Sequence, residues 1–172
     1  MLRTIAITLI IILNVSLQST FVQAISIYNI VFNLFIITIV SFALLRGQKE
    51  GLIIGFALGI LHDVFFGEFI GLYALLYMYI GFINGMFSKS FFKESLFFPI
   101  IAIALSDLGA NLIIYITFLF RGRTQFFLYF ITTILPEVSY TTLVSIGIYR
   151  FYLFINNKLE YYDRWKGSRN KL

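Results

Sequence analysis

Residues 51–71 read GLIIGFALGILHDVFFGEFIG. Gly51, Gly55, Gly59, Asp63, Gly67 and Gly71 recur at four-residue intervals. On an α-helix each step of four turns only about 40° around the axis. Gly51, Gly55 and Gly59 therefore form one slowly turning groove, with Asp63 at its end. A helix that lacks side chains along one row can be approached at backbone distance. In a bilayer that close approach is a main source of helix association, because lipid tails provide no hydrophobic drive between helices. A carboxylate in the same row is costly there and calls for a partner.

The surroundings of this stretch are those of a membrane protein. Of 172 residues, 60% are hydrophobic and 12% charged, and the mean hydropathy is +0.92. A soluble domain carries roughly 25% charged residues. There is no cysteine, which excludes disulfides, thiolate metal sites and cysteine nucleophiles. One histidine cannot build a histidine-based metal site, so no metal and no cofactor are expected. The net charge of +5 lies at the ends of apolar stretches, where it sets topology, and nucleic acid is not an expected partner.

Outward from the glycine row the chain divides into six apolar spans, about 4–21, 28–45, 51–66, 70–87, 96–120 and 125–155. These predict an all-α polytopic protein with one transmembrane domain, 1–155, and a basic aromatic cytoplasmic tail, 156–172. Span 1 also has features of a signal peptide, with Val22-Gln23-Ala24 as its cleavage site. Its long apolar run, with Asn14 and Gln18 one turn apart, reads instead as a retained helix that hydrogen-bonds to its neighbours. Arg46–Glu50 is a charged turn, and Gly67-Glu68-Phe69 is a tight one. Span 4 carries Gly81 and Gly85 with Asn84 beside them, so spans 3 and 4 should form a close hairpin. Span 6 is longer than the ~20 residues a bilayer requires. Pro136 is its expected kink, since proline removes a helix hydrogen bond. With the N-terminus inside, 11 Lys and Arg fall on the inner side and 2, Arg121 and Arg123, on the outer. Both termini are therefore expected in the cytoplasm.

Helical rise places Asp63 about 18 Å, Asp107 about 16 Å and Glu137 about 18 Å into their spans. No Lys or Arg shares that depth. Three readings stay open: neutral acids hydrogen-bonded to neighbouring helices, acids lining a polar cavity or partner groove, and a proton or cation pathway. Tyr140 and Thr141 are placed to satisfy Glu137 locally, at i+3 and i+4. Asn111 is a further polar residue of span 5. His62 and Asp63 point about 100° apart, so they make no catalytic dyad, and His62 should meet the headgroup region or another helix. The tail residues Tyr161, Tyr162, Arg164, Trp165 and Lys166 read as an interfacial anchor held by aromatic rings and by anionic lipid.

The chain resembles the MreD family of bacterial rod shape-determining membrane proteins. The resemblance rests on Gly55, Gly59, Asp63, Gly67 and Gly71-Leu72-Tyr73-Ala74, running on to Gly81-Phe82 and Gly85, within a similar length and span count. It implies a non-enzymatic protein of the bacterial cytoplasmic membrane. Its partners would be MreC, through that protein's transmembrane helix, MreB, and RodA with its elongation penicillin-binding protein. It also implies a fold similar to the substrate-binding membrane subunits of energy-coupling-factor vitamin transporters, which is the alternative function. An intramembrane enzyme is disfavoured for want of a nucleophile–base pair. The glycine row then has two readings, packing within the chain or a lateral docking face; on the second, the glycine face of spans 3 and 4 docks a partner helix, and Asp63 orients that contact or the hairpin beneath it. Leucine at positions 55 and 59 would then abolish assembly while leaving the protein inserted.

Overall fold

The computed structural model describes residues 2–21, 24–26, 30–67, 70–89, 96–119 and 126–169. Side chains are described for 7–20, 24–26, 30–67, 70–89, 96–117, 119 and 128–158. Six helices carry the fold: α1 (Leu2–Ser16), α2 (Leu34–Arg46), α3 (Gln48–Phe66), α4 (Leu72–Met86), α5 (Phe97–Leu119) and α6 (Leu135–Arg169). A π-helical turn, Leu17–Phe21, extends α1. A short helical turn, Phe126–Tyr129, and a π-helical stretch, Phe130–Ile134, lead into α6. No strand occurs among the described residues.

The centre of the molecule is α2. Every residue from Leu34 to Leu45 is buried, and α3, α4, α5 and α6 all pack on it. A helix that is apolar all round belongs inside a bundle. It is also short, since 13 residues rise only about 20 Å. The predicted second span begins at 28, but the helix begins at Leu34. Its start is fixed by Asn33, whose side-chain oxygen accepts from the Ile36 N–H at 3.2 Å. Non-helical backbone among apolar helices needs its polar groups satisfied within the protein, and here side chains do it. Gln18 Nε2 donates to the Phe32 carbonyl at 3.2 Å, the Leu34 N–H donates to Gln18 Oε1 at 3.0 Å, and the Asn33 N–H donates to Thr141 Oγ1 at 3.1 Å.

One turn further along α1, Asn14 closes a second polar knot. Thr38 Oγ1 donates to Asn14 Oδ1 at 2.6 Å, and Asn14 Nδ2 donates to Tyr152 Oη at 3.1 Å. Tyr152 Oη lies 2.9 Å from Thr38 Oγ1, which completes a triangle across α1, α2 and α6. Asn14 and Gln18 therefore both bridge α1 to the rest of the bundle. Positions 22 and 23 of the candidate cleavage site lie outside the described residues.

The charged turn expected at 46–50 shrinks to one residue. Gly47, at φ +96°, separates α2 from α3, and Gln48, Lys49 and Glu50 are already helical. Glu50 pairs with Arg46 at 3.3 Å, and Arg46 Nε also donates to Asn156 Oδ1 at 2.7 Å. This ties the C-terminal end of α2 to α6. The irregularity expected at Pro136 falls in the five π-helical residues just before it. After Pro136 the helix runs unbroken to Arg169, so the backbone of the tail continues α6. The side chains of Tyr161, Tyr162, Arg164, Trp165 and Lys166 lie outside the described residues, as do Lys93, Arg121 and Arg123.

Phe97–Thr117 and Phe130–Lys158 are long and apolar enough to cross a membrane. Ile7–Thr20 and Leu34–Arg46 are shorter apolar helices.

Candidate functional site

The glycine row faces α4 along its whole length. A Cβ on Gly51 would stand 2.5 Å from the Gly81 carbonyl oxygen and 2.7 Å from Ala43 Cβ. On Gly55 it would strike the Tyr77 carbonyl, and on Gly59 it would stand 2.5 Å from Ala74 Cα. The facing helix answers in kind: a Cβ on Gly81 would strike the Gly51 carbonyl, and one on Gly85 would stand 2.5 Å from Gln48 Cα. The two backbones touch, so no side chain of any size fits between them. The row is filled from within the chain, and the face expected to dock an outside helix is not free. What α3 turns outward is Ile53, Phe56, Ile60 and Val64.

Asp63 closes the end of the hairpin at which α3 passes into α4. Its carboxylate is 2% exposed and accepts three backbone N–H groups, from Gly71 at 2.9 Å, Tyr73 at 3.0 Å and Ala74 at 3.0 Å. These belong to the first turn of α4, whose N–H groups have no partner within the helix. An anion there also meets the positive end of the helix dipole. Each later member of the four-residue series has a separate job. The Gly67 N–H caps α3 by donating to the Asp63 carbonyl at 3.1 Å. Gly71 takes φ +109°, a conformation that side chains disfavour, and so turns its N–H onto the carboxylate. The intermediate residues Glu68 and Phe69 lie outside the described residues.

His62 points away from Asp63 into a box of rings. It stacks on Tyr73 at 3.9 Å between centroids and meets Phe35, Phe66 and Tyr77 at 5.5, 5.5 and 5.6 Å. Its Nδ1 is buried without a hydrogen-bond partner. Tyr77, fully buried, accepts at Oη from Asn33 Nδ2 at 3.2 Å, so the box joins the broken start of α2.

A second polar centre lies between α5 and α6. Asp107 is fully buried, and neither carboxylate oxygen has a hydrogen-bond partner. Asn33 and Thr141 are its polar neighbours, yet neither reaches an oxygen in bonding geometry. Glu137, half-buried, has Asp107 and Asn111 among its polar neighbours. The expected local partners of Glu137 are engaged elsewhere: Thr141 accepts from Asn33, and Tyr140 Oη donates to the Ile25 carbonyl at 3.3 Å. Asn111 Nδ2 donates to the Asp107 carbonyl at 3.1 Å. Sequence spacing pointed to pairing along α6, and the tertiary fold supplies pairing across helices instead.

The seam between α4 and α5 is open by contrast. A groove of about 450 Å³ runs along it, with Leu76, Ile80 and Ile83 on one wall and Ala102, Leu105 and Gly109 on the other. Asn84 Nδ2 crosses it by donating to Ser106 Oγ at 2.9 Å.

Residues 1–158 match the family described as rod shape-determining protein MreD. The chain belongs to the MreD family. The match covers the hairpin, the Asp63 clasp and both polar centres. Neither a curated protein nor a solved structure matches the chain. MreD proteins are membrane proteins of the rod shape-determining system, and the apolar helices of this MreD agree with that setting.

Proposed function

We propose that this MreD is a non-enzymatic membrane scaffold of the cell-elongation machinery. It helps MreC and MreB organise lateral peptidoglycan synthesis by RodA and its penicillin-binding protein. The observation that carries this reading is the family match over residues 1–158. Six spans with both termini in the cytoplasm form part of the same proposal, supported by the 11-to-2 distribution of Lys and Arg. The way the polar groups are used supports it too. Asp63 is occupied by three backbone amides, and Asn14, Thr38 and Tyr152 hold one another. These are devices for rigidity. The glycines serve the scaffold by sealing the hairpin, and a partner helix meets the molecule on another face.

The test is purification of the tagged protein from its own cell in mild detergent, with partners identified by mass spectrometry. MreC and wall-elongation proteins should co-purify. Recovery of an ATPase pair and a coupling subunit would replace this proposal with the vitamin-transporter reading. The proposal would also fail if neither set is recovered while MreC from the same extract purifies with other elongation proteins.

A further inference from the structure

The groove between α4 and α5 holds a polar pair that is only half used. Asn84 is 8% exposed and lines the groove beside Ser106. Its Nδ2 donates to the Ile80 carbonyl and to Ser106 Oγ, both at 2.9 Å, so both amide protons are spent. The bond to a carbonyl also fixes which end of the amide is nitrogen. Asn84 Oδ1 accepts no hydrogen bond among the described residues, and the Ser106 hydroxyl donates none. An acceptor without a donor and a donor without an acceptor therefore stand side by side in an otherwise apolar wall.

The rim residues Ile83, Ile101 and Leu105 are apolar and exposed, so in a bilayer the groove opens on lipid. Lipid tails carry neither donor nor acceptor, and a polar group left unsatisfied in hydrocarbon is costly. A second helix meets both needs. A serine, threonine, asparagine or glutamine on it can donate to Asn84 Oδ1 and accept from Ser106. The wall behind the pair also lets a backbone come near. Ala102, Ser106 and Ala110 recur at four-residue intervals on α5, and a Cβ on neighbouring Gly109 would meet nothing within 4 Å. Small residues with a polar residue among them are the pattern by which helices associate in lipid. From Leu76 to Phe87 the groove runs about 16 Å, or three helical turns, which seats a ridge of side chains from one helix. A second copy of this chain fits worse, because two concave seams set face to face hold their polar pairs apart.

We propose that this groove receives one transmembrane helix of another protein, and that Asn84 and Ser106 bind a hydroxyl or carboxamide side chain on it. The inference rests on the scaffold proposal for the identity of that helix, which is the transmembrane helix of MreC. It gives the outside partner a place away from the glycine row.

The full chain contains no cysteine, so introduced ones report alone. Leu105→Cys and Gly109→Cys place thiols in the groove, and Phe56→Cys and Ile60→Cys place them on the outward face of α3. Each is combined in native membranes with single cysteines along the transmembrane helix of MreC and oxidised. The groove positions should cross-link with a helical period, and the α3 positions should not. In co-purification, Ser106→Ala should recover about threefold less MreC, the worth of one interhelical hydrogen bond, and Ser106→Thr should restore it. Gly109→Phe fills the groove and should cut recovery about tenfold at an unchanged Tm. If that variant does not fold, the cross-links still decide. Cross-links confined to α3, or full MreC recovery by a folded Gly109→Phe, would overturn the groove as the docking site and leave the scaffold proposal standing. So would a phospholipid that stays with the parent through purification and is lost from Gly109→Phe while MreC recovery holds, which would assign the groove to lipid. Absence of MreC from the parent preparation together with absence of any cross-link would overturn both.

Discussion

Helix α4 has two neighbours in sequence, and the molecule treats them in opposite ways. Against α3 it is fused backbone to backbone, through Gly51, Gly55, Gly59, Gly81 and Gly85. Against α5 it stands apart, bridged by Asn84 and Ser106 across an apolar groove. Both seams contain small residues, and Ala102, Ser106 and Ala110 repeat the four-residue spacing on α5. Spacing alone therefore does not decide whether a small-residue row is filled. In the closed seam both helices contribute glycines that face each other, and a carboxylate locks one end. In the open seam the row on α5 meets the side chains of Leu76, Ile80 and Ile83, which hold the helices apart.

The largest effect should come from removing the lock. Asp63→Ala strips the acceptor from three amides at the start of α4. An unsatisfied buried donor costs about 1–3 kcal/mol, so the total should be about 4 kcal/mol after relaxation. Asp63→Asn should cost about half of that, because one amide oxygen accepts two of the three bonds and the dipole loses its anion. Unfolding of both variants in bicelles or detergent measures this. A loss under about 1 kcal/mol for the alanine variant would show that the clasp contributes little to closing the seam.

Next comes the seam itself. A Cβ on Gly55 collides with the Tyr77 carbonyl, which is backbone and cannot swing aside. Gly55→Ala should cost about 3 kcal/mol, the upper range for overpacking. Leucine at 55 and 59 should prevent the hairpin from closing and leave protein that inserts but does not hold its fold. That differs from the outcome expected of a docking face, where such variants stay folded and lose only a partner. Measuring thermal unfolding and partner recovery on the same preparations separates the two.

Much of this was legible from the residues. The four-residue series announced the hairpin, and Asn14 and Gln18 announced bridges from α1. The central position of α2 was not legible, because Leu34–Leu45 has no polar stripe and so no periodicity that distinguishes a lipid-facing helix from a buried one. The role of Asp63 was half legible. Its place at the end of the groove could be read, but its ligands are backbone amides of residues 71–74, and amides carry no signature in a sequence. Glu137 misled for a related reason. Its i+3 and i+4 neighbours were plausible partners, and Asn33, just before α2, and Ile25, between α1 and α2, took them first.

The smallest effect sharpens the comparison most. Gly109 lines the open seam, and a Cβ there meets nothing within 4 Å. It sits in mid-helix, where glycine costs roughly 0.5–1 kcal/mol relative to alanine. Gly109→Ala should therefore leave stability unchanged or raise it by up to about 1 kcal/mol, the opposite sign to Gly55→Ala. Equal destabilisation by the two substitutions would mean that the α4–α5 seam closes in the membrane as tightly as the α3–α4 seam. Opposite signs would leave two glycines on helices of one protein with contrary duties. One admits a neighbouring backbone, and the other only loosens its own.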